Sequence, residues 1–259
     1  MPGMNIHPTA IVDPKASIDP SVVVGPYAII EGDVEIASGC RIGPRVLVAE
    51  GARLEENVIV HHAATIGTIP QDLKFSGEKT VLKVGAGTVI REYVTMNRGT
   101  DWSGQTVVGK NCFFMAYSHV PHDAVIGDNV IVANSVQMGG HVVIGDYVIL
   151  GGGTVIHQFT KIGMHAIIGG GLRITQDIVP YAVIGGYPVE VGGVNVIGLK
   201  RRGYSHSQLR PLKEAFKLLF KSNLNTSQAV EKIRSELEQT DEIKNLLDFI
   251  EKSERGLIK

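Results

Sequence analysis

The sequence predicts a mainly β fold: a parallel β-helix of about nine coils, followed by a C-terminal α-helical domain. Three observations carry this: an aliphatic residue at every sixth position, an excess of glycine, and a late switch to helical spacing. From Ile6 the sixth residues run Val12, Ile18, Val24, Ile30, Ile36, Ile42, Val48, Leu54, Val60 and Ile66. The register lapses from Thr68 to Lys83, returns at Val84, Ile90 and Met96, and lapses again over Asp101 to Thr106. It then continues through Val108, Phe114, Val120, Ile126, Val132, Met138, Ile144, Leu150, Ile156, Ile162, Ile168 and Ile174. A period of six is neither the 3.6 of an amphipathic helix nor the 2 of an alternating strand, and marks a stacked repeat.

Four residues after each aliphatic comes a second column of small or β-branched side chains: Ala10, Ala16, Val22, Ala28, Val34, Cys40, Val46, Ala52, and later Cys112, Ala124 and Val130. Glycine often follows the aliphatic (Gly25, Gly43, Gly109, Gly127, Gly139, Gly145). Proline stands two after it in Pro8, Pro14, Pro20, Pro26 and Pro44. Glycine permits positive φ and proline fixes φ, so both mark corners. A short strand and a corner every six residues, three to a turn, give an 18-residue triangular coil, with successive coils about 4.8 Å apart. Aromatics at 6% and 31 glycines suit such a thin core. Both cysteines fall in the inner column and are expected to be buried thiols, with no CxxC pair to suggest a metal or redox site.

After Pro188 the hexads stop. We place the β-helix domain at 1–190 and the helical domain at 191–259. Leu209, Leu212, Phe216 and Leu219 share one face of a helix from about Ser207 to Ser222. Asn225 to Gln228 reads as a capping box for a second helix with Val230, Ile233 and Leu237 inward. Thr240 can cap a third, carrying Ile243, Leu246, Leu247 and Ile250.

A formal net charge of −1 argues against general nucleic-acid binding, which needs a basic excess. No apolar run is long enough for a membrane span, and Met1 to Thr9 lacks the basic and apolar regions of a signal peptide, so a cytoplasmic protein is expected. Walker and dinucleotide loops are absent; Gly151–Gly153 sits in repeat register. No cofactor is expected.

Histidine is the richest chemical signal. His7, His61, His62, His165 and His206 have no distinctive context and read as ordinary surface or corner residues. The others cluster: His119 and His122 in Ser118-His-Val-Pro-His-Asp123, His141 after Gly139-Gly140, and His157 before Gln158. His141 lies 19 after His122, and His157 lies 16 after His141. Counting by 18 therefore stacks the three along about one edge, with Asp123 directly below His141. A metal site, a ladder of hydrogen-bonded corner histidines, and a catalytic histidine are the competing readings. The His-x4-His spacing of zinc sites on related folds is missing from the cluster, so no metal is expected. An unmetallated imidazole, oriented by a carboxylate such as Asp123, is the best reading, because it titrates near neutrality and can take a proton from a hydroxyl or amine. No Gly-x-Ser-x-Gly elbow supports a covalent intermediate.

The segments that interrupt or decorate the hexads carry a resemblance. They are Pro70-Gln-Asp-Leu-Lys74, Arg98-Gly-Thr100, Ser118 to Asp123, Gly140-His141, His157-Gln-Phe159, Gln176-Asp177 with Pro180-Tyr181, and Gly193-Val-Asn195 to Gly198-Leu-Lys-Arg-Arg-Gly203. In this order, and with the helical tail, the sequence resembles the UDP-N-acetylglucosamine O-acyltransferases of lipid A biosynthesis over essentially its whole length. The resemblance implies a left-handed β-helix and a homotrimer with active sites between subunits. It implies transfer of a (3R)-3-hydroxyacyl chain from acyl carrier protein to the 3-position of UDP-N-acetylglucosamine. His122 would be the general base with Asp123 beside it, and the Gly140 amide would help hold the oxyanion. Gln71, Asp72, Lys74, His119 and His141 would contact the sugar or acyl chain. His157 and Gln158 would lie near the nucleotide, with Asn195, Arg201 and Arg202 around the UDP. Lys200, Arg201 and Arg202 could equally serve the acidic carrier protein. Gly170 would stand where the acyl chain is measured. Two positions depart from the family pattern: Asn97 where many relatives have His, and Ile197 where many have Glu. The pathway's later N-acyltransferase carries an extra N-terminal domain, whereas hexads here begin at Ile6.

Overall fold

The computed structural model describes residues 5–259. Met1 to Met4, the start of the stretch read as lacking a signal peptide, lie outside the described residues. Among the described residues twenty-eight short strands form three sheets of 11, 9 and 8 strands, here called long, middle and short. Up to the last coil each strand pairs in parallel with the third strand after it: Asn5 with Val23, Ile11 with Ile29, Ser17 with Glu35. That step of three hexads is the triangular coil expected from the repeat. In each two-residue strand the second side chain is the inward one. Ile30, Ile42, Ile90, Phe114, Ile126, Leu150 and Ile168 are all buried, as are Cys40 and Cys112. Burial disfavours the thiolate and pushes the Cys112 thiol up to about 11.

Two excursions leave the ladder. Ile59 pairs with Val89 and Val89 pairs with Phe113, steps of five and then four hexads in place of three. After the first, the strand Val81–Val84 puts Leu82 inward, so pairing resumes before the aliphatic count suggested. After the second, Gln105–Val108 puts Thr106 inward, a polar residue that an aliphatic count cannot find.

The corners correct one expectation. Most glycines that follow the aliphatic do not adopt positive φ. A Cβ on Gly25 would lie 2.9 Å from the Pro44 nitrogen, and one on Gly139 would lie 2.7 Å from the Gln158 nitrogen. Glycine is used there because the next coil's backbone passes too close for a side chain. The left-handed residue comes two positions later and is often aromatic, Asn, Asp or His: Tyr117, Asp123, Asn129, His141, Tyr147 and His165 all have φ between 57° and 63°. Successive side chains at these positions stack along the corners: Tyr93 on Tyr117 at 5.1 Å, His141 on Phe159 at 4.3 Å, and Tyr147 on His165 at 4.8 Å between ring centroids.

At the C-terminal end Ala182–Gly185 pairs antiparallel with Glu190–Val194, and this hairpin extends the long sheet across the 190/191 boundary. Helices α1 (Val196–Arg201), α2 (His206–Phe220), α3 (Thr226–Glu236) and α4 (Asp241–Glu251) follow. The short α1 has no counterpart among the helices expected from the sequence. The Asn225/Gln228 capping box forms, and a second one joins Ser205 and Gln208. Leu209, Leu212, Phe216, Leu219, Ile233, Ile243, Leu246 and Leu247 are buried between the helices and the last coil. The chain end returns to the coil, where Ile258 N donates to Asp177 O at 3.0 Å and Ser253 Oγ donates to Asp177 Oδ2 at 2.7 Å. Among the described residues no helix is long and apolar enough to cross a membrane.

Candidate active site

His122, Asp123, Gly140 and His141 meet at the corner between the middle and short sheets. His122 and Asp123 fill the corner after the strand His119–Val120, and Gly140 and His141 fill the same corner one coil on. The coil register thus brings together residues a full turn apart in the chain. The His122 and His141 rings meet edge to face at 5.1 Å.

Asp123 organises the cluster. Its side chain is 1% exposed and accepts four hydrogen bonds. Thr100 N donates at 3.1 Å, Thr100 Oγ1 at 2.7 Å, His122 Nδ1 at 2.8 Å, and Ser103 Oγ more closely still. Burial opposes the carboxylate's charge. The hydrogen bonds from Ser103, His122 and Thr100 outweigh it and hold the pKa down to about 2. An ionised carboxylate can only accept, so a His122 proton sits on Nδ1 facing Asp123, and the neutral imidazole then has its lone pair on Nε2. His141 Nδ1 lies 3.8 Å from Asp123 Oδ2 and has no hydrogen-bond partner. Desolvation lowers the His141 pKa although Asp123 and Asp72 oppose that shift, so His141 stays neutral near pH 7.

Gly140 completes the arrangement. A Cβ there would lie 2.5 Å from His122 Cε1 and 2.7 Å from Nε2, so only glycine leaves room for the imidazole. Among the described residues no acceptor takes the Gly140 N–H. A free backbone donor therefore stands beside a free imidazole lone pair, the pairing that attack on a carbonyl requires.

Donor atoms of His122, Asp123 and His141 lie within 4.8 Å of one another, close enough to consider a metal. Two donors each about 2.0–2.1 Å from a tetrahedral zinc stand roughly 3.3 Å apart. The 2.8 Å between His122 and Asp123 is instead a hydrogen-bond distance.

The other expected residues fall in several places. Gln71, Asp72 and Lys74 sit on the first excursion; Gln71 and Lys74 are exposed, and Asp72 Oδ1 accepts from Lys74 N at 2.9 Å. Asn97, buried, ties the root of that excursion by donating to Thr68 Oγ1 and Ile69 O, both at 2.9 Å. His119 lies on the middle sheet with Nδ1 2.8 Å from Thr95 Oγ1, and burial lowers its pKa. His157 and Gln158 occupy the same corner as His141 one coil on, both exposed. The ring that stacks on His141 is Phe159, one full coil later, so the expected three-histidine stack is a His122–His141–Phe159 stack instead. Gly170 is exposed on a different corner, between the long and middle sheets, where a Cβ would lie 3.0 Å from Gly152 O.

Asn195, Arg201 and Arg202 line a groove of about 620 Å³ with Ile149, Ile167 and Ile197; this groove excludes His122, Asp123 and Gly140. Asn195 is buried and its side chain is committed. Oδ1 caps α1 by accepting from Gly198 N at 3.0 Å, and Nδ2 donates to His165 O at 2.9 Å. It shapes the groove through α1 rather than offering a free amide. His165 is not an ordinary surface residue: it is buried among Tyr147, Tyr181 and Tyr204.

Sequence reasoning missed Ser103, Trp102 and Phe159. Trp102 is 74% exposed and meets His141 edge to face at 5.4 Å. Phe159 could have been found by counting one coil on from His141. Ser103 and Trp102 lie in the second excursion, where the coil count does not reach.

A model of bacterial transferase hexapeptide repeats matches residues 15–50 and 105–140, and one described as UDP-N-acetylglucosamine O-acyltransferase, domain 2, matches residues 177–258. The acyl-[acyl-carrier-protein]--UDP-N-acetylglucosamine O-acyltransferase of Janthinobacterium sp. is 42% identical over 98% of this chain and 99% of its own length. The chain belongs to this O-acyltransferase family. The family enzyme of Trichlorobacter lovleyi is 50% identical over 77% of this chain and 78% of its own. Among solved structures, LpxA from Acinetobacter baumannii superposes with a TM-score of 0.95 at 40% identity, covering 98% of this chain and 99% of that one. LpxA from Bacteroides fragilis, a UDP-N-acetylglucosamine acyltransferase, gives 0.96 at 39% identity, covering 98% and 100%. With these O-acyltransferases the chain shares the left-handed β-helix and the helical C-terminal domain.

Proposed function

We propose that this protein moves a (3R)-3-hydroxyacyl group from acyl carrier protein to the 3-hydroxyl of UDP-N-acetylglucosamine, the first step of lipid A biosynthesis, with His122 as general base. The observation that carries the mechanism is the free Nε2 of His122 beside the free N–H of Gly140, with Nδ1 fixed on an ionised Asp123. His122 Nε2 takes the proton of the sugar hydroxyl as its oxygen bonds to the thioester carbonyl carbon. The Gly140 N–H donates to the oxyanion. Collapse breaks the C–S bond, and the thiolate of the carrier's prosthetic arm leaves with the proton from His122. Asp123 stabilises the transient imidazolium. Its own pKa lies far below that of imidazole, so it keeps its charge throughout. No cofactor enters this scheme.

Around this centre we assign Gln71, Asp72, Lys74, His119 and His141 to sugar and acyl contacts, His157 and Gln158 to the nucleotide side, and Gly170 to the end of the acyl chain. Arg201 and Arg202, in the groove capped by Asn195, would hold the diphosphate. Lys200 and these arginines also suit the acidic carrier protein.

A homotrimer fits the outward face of the long sheet. Ile59, Val89, Phe113 and Ile131 follow one another on adjacent strands as an apolar column, which Ile149, Ile167 and Val183 continue as the wall of the groove. An isolated chain would leave that column in water. Over the same coils the middle sheet holds Thr65, Thr95, His119, Gln137, Val155 and Arg173 at this position, a more polar column.

The test is acyl transfer from 3-hydroxyacyl carrier protein to UDP-N-acetylglucosamine by the purified protein. His122→Ala should lower kcat/KM by about 10³-fold or more with the fold intact. A His122→Ala protein that retains a tenth of the activity would refute the mechanism.

A further inference from the structure

Arg202 does not reach the groove as a free side chain. Its guanidinium lies over the Tyr147 ring, 4.9 Å from the centroid, and Nη2 is 3.5 Å from Tyr147 O. Tyr147 stacks on His165 at 4.8 Å with the planes 2° apart, and His165 stacks on Tyr181 at 5.7 Å and 13°. Tyr204, two residues after Arg202, closes the column from the side. Its ring meets His165 edge to face at 5.4 Å, and its hydroxyl is 3.1 Å from His165 Nε2. On the N-terminal side of α1, Asn195 Nδ2 donates to His165 O at 2.9 Å. His165 is therefore gripped by residues on both sides of the short helix that carries Arg201 and Arg202.

We infer that Tyr147 and His165 are positioning residues for Arg202, holding its guanidinium on an aromatic column at the mouth of the groove so that it meets a nucleoside diphosphate already oriented. The inference rests on the reading above that Arg202 contacts the diphosphate. A guanidinium held over a ring, with one Nη2 hydrogen on Tyr147 O, keeps its other edge N–H groups for phosphate oxygens, and it loses less side-chain freedom on binding than one in open water. The column also keeps competing charge away. His165 is buried, and desolvation together with the Arg202 charge holds its pKa down to about 4, so it stays neutral under Arg202 at physiological pH. The other charged group acting on it, Asp146, opposes that shift without reversing it.

The probe is UDP alone, titrated calorimetrically, alongside kcat and KM for UDP-N-acetylglucosamine. Tyr147 sits at φ 60°, so Tyr147→Asn removes the ring while keeping a residue that tolerates the left-handed corner. Tyr147→Asn should weaken UDP about three- to ten-fold and raise KM to match, with kcat at saturation within two-fold. Tyr147→Phe, which keeps the ring, should restore both. In an Arg202→Ala background Tyr147→Asn should have no further effect on UDP affinity. If Arg202→Ala weakens UDP but Tyr147→Asn does not, the positioning role is wrong and the reading of Arg202 stands. Equal weakening by Tyr147→Asn with and without Arg202 also overturns the positioning role, because the tyrosine then acts independently. If Arg202→Ala leaves UDP affinity unchanged, the assignment of Arg202 to the diphosphate falls, and the inference with it.

Discussion

Gly140→Ala adds one methyl group at the point where the proposed chemistry is most crowded. The new Cβ would stand 2.5 Å from His122 Cε1 and 2.7 Å from Nε2, whereas carbon atoms in contact rest about 3.5–4.0 Å apart. The imidazole must therefore retreat by about 1 Å. It is held by a single 2.8 Å hydrogen bond to Asp123, so the retreat stretches or breaks that bond and moves Nε2 off its line to the acceptor. A misplacement of about 1 Å costs on the order of 10² in rate. Gly140 is not at positive φ, so alanine fits its backbone, and the Gly140 N–H is retained. The expected result is a fall in kcat of about 100-fold, with the circular dichroism spectrum and melting temperature close to wild type. Steady-state kinetics on UDP-N-acetylglucosamine at saturating acyl carrier protein would measure it. Gly185→Ala is the matched control, because a Cβ there meets nothing within 4 Å. Activity in Gly140→Ala within three-fold of wild type would show that His122 does not act from the position described.

Asp123 has a folded pKa of about 2, below its unfolded value near 3.9. Its contribution to stability is therefore complete above about pH 4 and is lost as pH falls towards 2. Urea denaturation at pH 5 and pH 3 should show a smaller acid loss in Asp123→Asn than in wild type; identical losses would mean that the carboxylate's hydrogen bonds do not favour its charged form. Ile131→Asp places a charge in the middle of the long sheet's apolar column and should convert a trimer to monomers in sedimentation velocity with loss of activity. A trimer that survives this change would place the interface elsewhere.

The coil was legible because its signal is redundant: one inward residue per hexad, each constrained by the same narrow core. The same count placed Asp123 under His141, and there the structure agrees. It failed where residues leave the ladder. Thr100 and Ser103 hold Asp123 from the second excursion, and no spacing rule connects position 103 to position 123. It also failed for His165, since an αL corner side chain is exposed by default. This one is covered by Tyr147 and Tyr181 on its two faces and by Tyr204 from the side. His157 stands two positions short of the stacking point on its corner, enough to make Phe159 the ring that touches His141. Asn195 reads in the sequence as a polar contact for a ligand, but its polarity is spent on capping α1.

The two excursions lengthen their coils from three hexads to five and to four, so each adds a whole number of hexads. Inward residues on either side of both detours, from Val60 and Ile66 through Ile90 and Phe114 to Ile174, consequently keep the same remainder when their numbers are divided by six. The fold itself sets no such count: each detour leaves and rejoins the prism at a corner, and the strand that follows is placed by its pairing with the coil before, Ile59 with Val89 and Val89 with Phe113. The chain can therefore grow or lose loops at a corner, and with them acquire groups such as Trp102 and Ser103 beside the cluster of His122, Asp123 and His141, while the remaining coils stay paired. The wall of the site is free to vary because the scaffold behind it is held by its own ladders of strands.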